Sequence, residues 1–399
     1  MRKNISLCCS TALAIVCTAA LLSPTATAAQ RGEVLGEGGA DSVQNSYIVV
    51  FKDLATQPSA IRERAESLAS RYEGVVEHIY RVAVKGFSAT MSPVQAKRLA
   101  ADSSVSYVEQ NRVVRGTQAD QINPPWGLDR VDQADLPLNN RYSSSTEASN
   151  VTAYVIDTGI NYDHADFGGR ASPGFDAFSD GRNGRDCQGH GTHVAGTIGG
   201  TRFGVAKGVR LKAVRVFDCQ SNSSLAALVA GFDWVTANAV RPAVANASLH
   251  TGRPNDPSRA VDDAVRASIR AGITYVVSAS NTADDSCRYS PPRVTEMINV
   301  AATTRTDARR RSSSYGRCVD LFAPGEDIIS ASHSSNTGTQ LASGTSMAAP
   351  HVAGAVALHL SANPAATPAA VHNAIVASAT PNKVTDPGAG TPNRLLRTR

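Results

Sequence analysis

After its first 28 residues the chain has no apolar run long enough to cross a bilayer, which excludes a protein anchored by internal transmembrane helices. It has no dense basic tract. The net charge is +5 over 399 residues, and the tight cluster Arg309-Arg310-Arg311 is too short to make a nucleic-acid surface. It has no C-x-x-C and no H-x-x-x-H pairing, the spacings by which short segments hold zinc. It has no G-x-S-x-G, the elbow that carries the nucleophile of lipases and esterases. What is present, 42% hydrophobic and 18% charged residues, is the composition of an ordinary globular chain with room for more than one domain.

Residues 1–28 read as a signal peptide: a basic start at Arg2 and Lys3, an apolar core, and Ala26-Thr27-Ala28 as the cleavage pattern. Val16 is too bulky to precede a lipid-modified Cys17. The expected location is therefore extracellular, with no stable membrane association. Seven cysteines occur, and Cys8, Cys9 and Cys17 leave with the signal. Cys187, Cys219, Cys287 and Cys318 remain in an oxidising setting and fit two disulfides, in any of three pairings.

Residues 29–43 are Gly- and Glu-rich and read as a linker. Residues 44–116 alternate strand and helix patterns in the order βαββαβ, a small ferredoxin-like α+β unit, with Ser92 and Pro93 marking a helix start. Residues 117–125 break the pattern and read as a processing region. From residue 126 to residue 399, continuous runs such as "VTAYVID", "AVANASL" and "TYVVSAS" alternate with helical segments. That is an α/β domain with a mostly parallel central sheet and helices on both faces. In such sheets ligands bind beyond the carboxyl ends of the strands.

Four residues stand at such places in chain order. Asp157 ends a buried strand, His190 lies between Gly189 and Gly191, Asn281 ends another strand, and Ser346 opens an apolar helix. Each alone has a structural use, as a cap, a turn or a packed side chain. Together they supply a nucleophile, its base, the acid that orients the base and an oxyanion donor. His193, inside a helical pattern, reads as packed. Pro350 reads as a first-turn proline of the Ser346 helix.

The blocks "YVIDTGI", "GHGTHVAGTIGG" and "SGTSMAAPHVAG" resemble the signatures of subtilisin-like serine proteases, in the proteinase K branch and its aqualysin-like secreted members. The resemblance runs from Trp126 to the C-terminus, and residues 44–116 resemble the family's inhibitory propeptide. It implies a serine endopeptidase made as an autoprocessed zymogen: Ser346 the nucleophile, His190 the base and acid, Asp157 the orienter, Asn281 the oxyanion donor. Its partners would be protein and peptide substrates and its own propeptide, and the enzyme would be a monomer. The resemblance also implies the pairs Cys187–Cys219 and Cys287–Cys318. It implies structural Ca2+ at Asp320 with the carbonyls of Thr295 and Met297, no organic cofactor, and lesser calcium candidates at Asp176 with Asp180 and at Asp129 with Asp132.

This chain departs from the family at the expected substrate walls. Ser248-Leu249-His250 and Ser278-Ala279-Ser280 stand where glycine is usual at the third position of one wall and next to the asparagine of the other, and Ser221-Asn222-Ser223 replaces a Gly-rich edge. Two outcomes are open for His250 and Ser280. At positive φ the side chain is strained; otherwise it narrows the pocket. Two readings therefore remain, an active endopeptidase or a peptide-binding relative with impaired turnover.

Overall fold

The computed structural model describes residues 32–39, 42–52, 59–113 and 120–398. The signal segment lies outside the described residues, as do residues 117–119 of the processing region. The chain divides into two compact units between Gly116 and Thr117.

The first unit contains β1 (Val34–Leu35), β2 (Ser42–Phe51), α1 (Ile61–Arg71), β3 (Val75–Tyr80), β4 (Gly86–Thr90), α2 (Pro93–Ala100) and β5 (Val105–Arg112). From β2 onward this is βαββαβ. Helix α1 buries Ile61, Ala65, Leu68 and Ala69 on one stripe, the i, i+4 spacing of an amphipathic helix. Helix α2 opens with a capping box, in which the Ser92 N–H donates to Gln95 Oε1 at 2.7 Å. The stretch read as a linker is corrected in part. Val34 pairs in parallel with Val108 and is buried, so β1 extends the sheet to the order β1-β5-β2-β4-β3.

The second unit begins with β6 (Gln121–Ile122), α3 (Trp126–Val131) and β7 (Arg141–Tyr142). Gln121 pairs with Tyr142, and its amide oxygen accepts from Lys207 Nζ at 2.7 Å. Residues 121–125 are thus part of this unit rather than a linker. There follow β8 (Thr152–Asp157), β9 (Ala171–Asp176), α4 (His190–Gly199), β10 (Arg210–Arg215), α5 (Leu225–Asn238), β11 (Ala243–Ala247), α6 (Arg259–Arg270) and β12 (Thr274–Ser278). The chain ends with β13 (Ile298–Thr303), β14 (Leu321–Pro324), β15 (Ile328–Ala331), β16 (Thr339–Ala342), α7 (Thr345–Ala362), α8 (Pro368–Ser378), β17 (Thr380–Pro381) and β18 (Arg394–Leu395).

The main sheet has the order β17-β18-β14-β13-β12-β11-β8-β10-β9 and is parallel except for β17. Alternate residues of each strand enter two cores. Ala153, Val155, Leu211 and Val276 pack with α4 and α7, and Tyr154, Ile156, Val214 and Tyr275 pack with α5 and α6. Burial on both faces is why these strands read as unbroken apolar runs. From β8 the chain winds to β9 and β10 on one side, then crosses to β11 on the other. The switch lies beside the carboxyl end of β8, where Asp157 sits. Among the described residues Cys187–Cys219 and Cys287–Cys318 form disulfides.

Candidate active site

Asp157 leaves β8 with 1% of its surface exposed. Its Oδ1 accepts from the Thr158 N–H at 2.8 Å and from His190 Nδ1 at 2.7 Å. With Nδ1 donating, the neutral ring keeps Nε2 as an acceptor, the form a general base needs. Burial alone would lower the His190 pKa. The charge and hydrogen bond of Asp157, with Asp186 behind it, outweigh this and hold it above the usual 6.5. His190 opens α4, and the helix reaches the β8 loop because residue 191 is glycine. A Cβ there would lie 2.2 Å from the Gly159 carbonyl oxygen.

Ser346 is the second residue of α7. Of the first N–H groups of this helix, that of Thr345 donates to Asn281 Oδ1 at 2.9 Å and that of Met347 to the Gly344 carbonyl at 3.0 Å. The Ser346 N–H lies between them, at a position where helix geometry offers no intrahelical acceptor. Because Asn281 Oδ1 is taken by Thr345, the amide Nδ2 is left as its donor, and Asn281 lines the same cleft as Asp157, His190 and Ser346. The cleft has a volume of about 250 Å³. Ser346 Oγ contacts the Ser248 carbonyl oxygen at 3.4 Å, long for a hydroxyl donor. The reading of Pro350 is corrected: it is the sixth residue of the helix, inside its second turn.

The expected substrate walls separate. Ser221, Ser248, Leu249 and His250 line the cleft. Ser278, Ala279 and Ser280 are fully buried and are not among its lining residues. Ser280 has φ 89°, and its Oγ lies 3.1 Å from Thr282 Oγ1, so it is strained rather than pocket-filling. His250 is the other case. It has no positive φ, its Nδ1 lies 2.9 Å from the Thr251 carbonyl, and its ring packs edge-on to Tyr289 at 5.0 Å. Asn222 turns to Asp218 and Ser223 to the Val216 carbonyl.

Sequence reasoning missed Asp186. Its Oδ1 accepts from Thr158 Oγ1 and the N–H groups of Gln188 and Gly189, and its Oδ2 from the N–H and hydroxyl of Thr192, all at 2.6–2.9 Å. One carboxylate therefore ties the Asp157 loop to the mouth of the His190 helix. The available signal was an acid just ahead of a glycine-led helix start, where free N–H groups attract an anion.

The carboxylates expected to hold calcium also have partners within the chain. Arg215, fully buried, places its guanidinium on Asp176 at 3.1 Å and on Asp180 at 2.8 Å. Asp129 accepts from the N–H groups of Asn139 and Asn140, and Asp132 from that of Ser143. At Asp320, Oδ2 accepts from the Asn299 N–H at 2.8 Å and Oδ1 faces His372 Nε2 at 3.2 Å. The Asp320 hydrogen bond raises the His372 pKa against the pull of burial. Ca2+ takes six to eight oxygen ligands. The expected donors at this place, the Asp320 carboxylate and the Thr295 and Met297 carbonyls, are oxygens of the kind Ca2+ takes, with His372 Nε2 against Oδ1. Among the described residues no group of three or more His, Cys, Asp or Glu gathers to hold a metal.

An aspartate-held imidazole, a serine at a helix mouth and an amide donor, met in the order Asp-His-Ser on a parallel sheet, define a serine hydrolase of the acyl-transfer type. Residues 148–395 match the Subtilase family, and residues 46–116 match Peptidase inhibitor I9. The chain is 44% identical over 401 residues to the "Extracellular serine proteinase" of Thermus sp. (strain Rt41A), spanning 96% of this chain and 97% of that protein. It is 44% identical over 367 residues to "Alkaline serine exoprotease A" of Vibrio alginolyticus, spanning 89% and 67%. A crystal structure of a cold adapted subtilisin-like serine proteinase superposes with a TM-score of 0.67 at 45% identity, covering 69% of this chain and 99% of that one. The chain belongs to the subtilase family. It is a serine endopeptidase preceded by an I9-type inhibitor domain.

Proposed function

We propose that Ser346, His190, Asp157 and Asn281 carry the reaction of this secreted, self-processing endopeptidase. Ser346 Oγ attacks the scissile carbonyl carbon and its proton passes to His190 Nε2. The oxyanion is held by the Asn281 amide and the Ser346 N–H. His190 then gives its proton to the leaving amine as the C–N bond breaks. Water, deprotonated by the same imidazole, releases the acyl group from Ser346. Asp157 keeps the ring oriented and stabilises the imidazolium throughout. The observation that carries this is the 2.7 Å bond between His190 Nδ1 and Asp157 Oδ1 in the cleft that Ser346 lines. Membership of a family of proteinases, with a relative named as an extracellular serine proteinase, favours turnover over passive peptide binding.

The I9 domain acts as intramolecular inhibitor, and the mature enzyme begins near Thr117 to Asp120 as a monomer. Calcium belongs to this reading only as a structural ion, held by Asp320 with the Thr295 and Met297 carbonyls, since the triad chemistry needs none. The direct test is labelling with an arylsulfonyl fluoride followed by peptide mass mapping, with N-terminal sequencing of the secreted product. One adduct on Ser346 with loss of activity is expected. In Ser346→Ala neither adduct nor cut should appear. A cut of unchanged efficiency in Ser346→Ala, in a host without other proteases, would overturn self-processing.

A further inference from the structure

In an α-helix the carbonyl of residue i accepts from the N–H of residue i+4. For Ser346 that residue is Pro350, which has no N–H. The carbonyl nonetheless has a donor, because Ser248 Oγ lies 3.0 Å from it. Asn246 Nδ2 in turn donates to Ser248 Oγ at 2.9 Å. With that lone pair engaged, the hydroxyl proton of Ser248 is directed to the Ser346 carbonyl. Asn246 and Ser248 are 1% and 6% exposed, so the chain of bonds runs under the cleft rather than in solvent. The contact is reciprocal, for Ser346 Oγ approaches the Ser248 backbone oxygen.

We propose that Ser248 is a positioning residue for the nucleophile: its hydroxyl supplies the hydrogen bond that Pro350 cannot, and so fixes the first turn of α7 around Ser346. The role goes beyond the pocket wall that the sequence suggested, and it rests on the reading of Ser346 as nucleophile. Proline at i+4 has a use here. It bars the ordinary helical partner and hands the Ser346 carbonyl to the end of β11, locking the helix mouth to the central sheet. Both the attacking oxygen and the Ser346 N–H hang from that turn. Freeing the carbonyl lets the turn shift, and misplacement of about 1 Å costs up to a hundredfold in rate.

The test is a double-mutant cycle with Ser248→Ala and Pro350→Ala, read by kcat and KM on a peptide p-nitroanilide. Ser248→Ala should lower kcat by about tenfold or more, leave KM nearly unchanged and be largely rescued by Ser248→Thr. Pro350→Ala returns an N–H to the Ser346 carbonyl, so Ser248→Ala should cost much less in that background. A rise in KM at constant kcat would make Ser248 a substrate contact. Equal losses in both backgrounds would break the link to Pro350. Either result overturns the proposal. If Ser248→Ala does not accumulate, Asn246→Ala carries the same test, since it leaves the hydroxyl in place but unlocks its direction. Activity surviving in Ser346→Ala would instead undo the assignment of the nucleophile.

Discussion

The two units of this chain build sheets by different rules. The first sheet is largely antiparallel and leaves much apolar surface in water: Val75 in β3 is 71% exposed and Val82 in the following turn is 90% exposed. Its core is small, and among its described residues there is no disulfide. The second sheet is parallel but for β17 and buried on both faces, and its unit is cross-linked twice. Units of the first kind are marginal, because small domains bury a smaller share of their surface. The lesson is a division of labour. The inhibitor is built to be lost, and the catalytic unit to persist after it.

The contrast breaks most visibly if the first unit is left out. Parallel pairing makes many non-local contacts and folds slowly. Residues 120–399 produced alone should give little active enzyme, and supplying residues 32–116 separately should restore it. A normal yield of active enzyme without them would erase the distinction.

Acid should separate the units next. Burial holds the pKa values of His193 and His351 down to about 4, against 6.5 in the unfolded chain. Between those values the unfolded state binds more protons, so stability rises with pH and is lost as pH falls from 6.5 toward 4. Each histidine contributes on the order of 3 kcal/mol over that window. Thermal unfolding of Ser346→Ala across it should show the catalytic unit falling. No buried histidine occurs among the described residues of the first unit, so the loss should be confined to the second. A flat profile for the second unit would remove this account.

Replacing Cys187 and Cys219 by serine opens a loop with a sequence separation of 32 residues and should cost roughly 3–4 kcal/mol. Denaturant titration should place the loss in the second unit alone. The smallest effect is at the substrate walls. Ser280→Gly should relieve strain worth about 1 kcal/mol without changing preference before the scissile bond. His250→Gly should raise kcat/KM for Phe about tenfold and for Ala little. A panel of p-nitroanilides differing at that residue separates the two, and a changed preference in Ser280→Gly would show that its side chain reaches the cleft.

Most of this fold was legible because its signals are local. Unbroken apolar runs announce doubly covered strands, and Ser92 with Pro93 announces α2. The residues of the proposed triad stood out because strand ends and a helix mouth mark where such sheets hold chemistry. What escaped depends on partners distant in sequence. Val34 becomes a strand only because β5 offers an edge. Asp186 is one acid among many until Thr158 and Thr192 converge on it. The two wall substitutions look alike on paper, yet Ser280 is buried at a positive φ and His250 lines the cleft without one.

Arg215 carries a last consequence. A dissociable ion stabilises a protein only as the logarithm of its concentration over its dissociation constant, and not at all once it is removed. The positive charge between Asp176 and Asp180 is covalently part of β10 and reaches the Cys187 and Cys219 sulfurs at 3.6 and 3.8 Å. It cannot be diluted away, chelated or exchanged for another cation. An enzyme released into surroundings of unknown hardness thus carries its own counter-ion beside the Cys187–Cys219 disulfide, at full occupancy from the moment it folds.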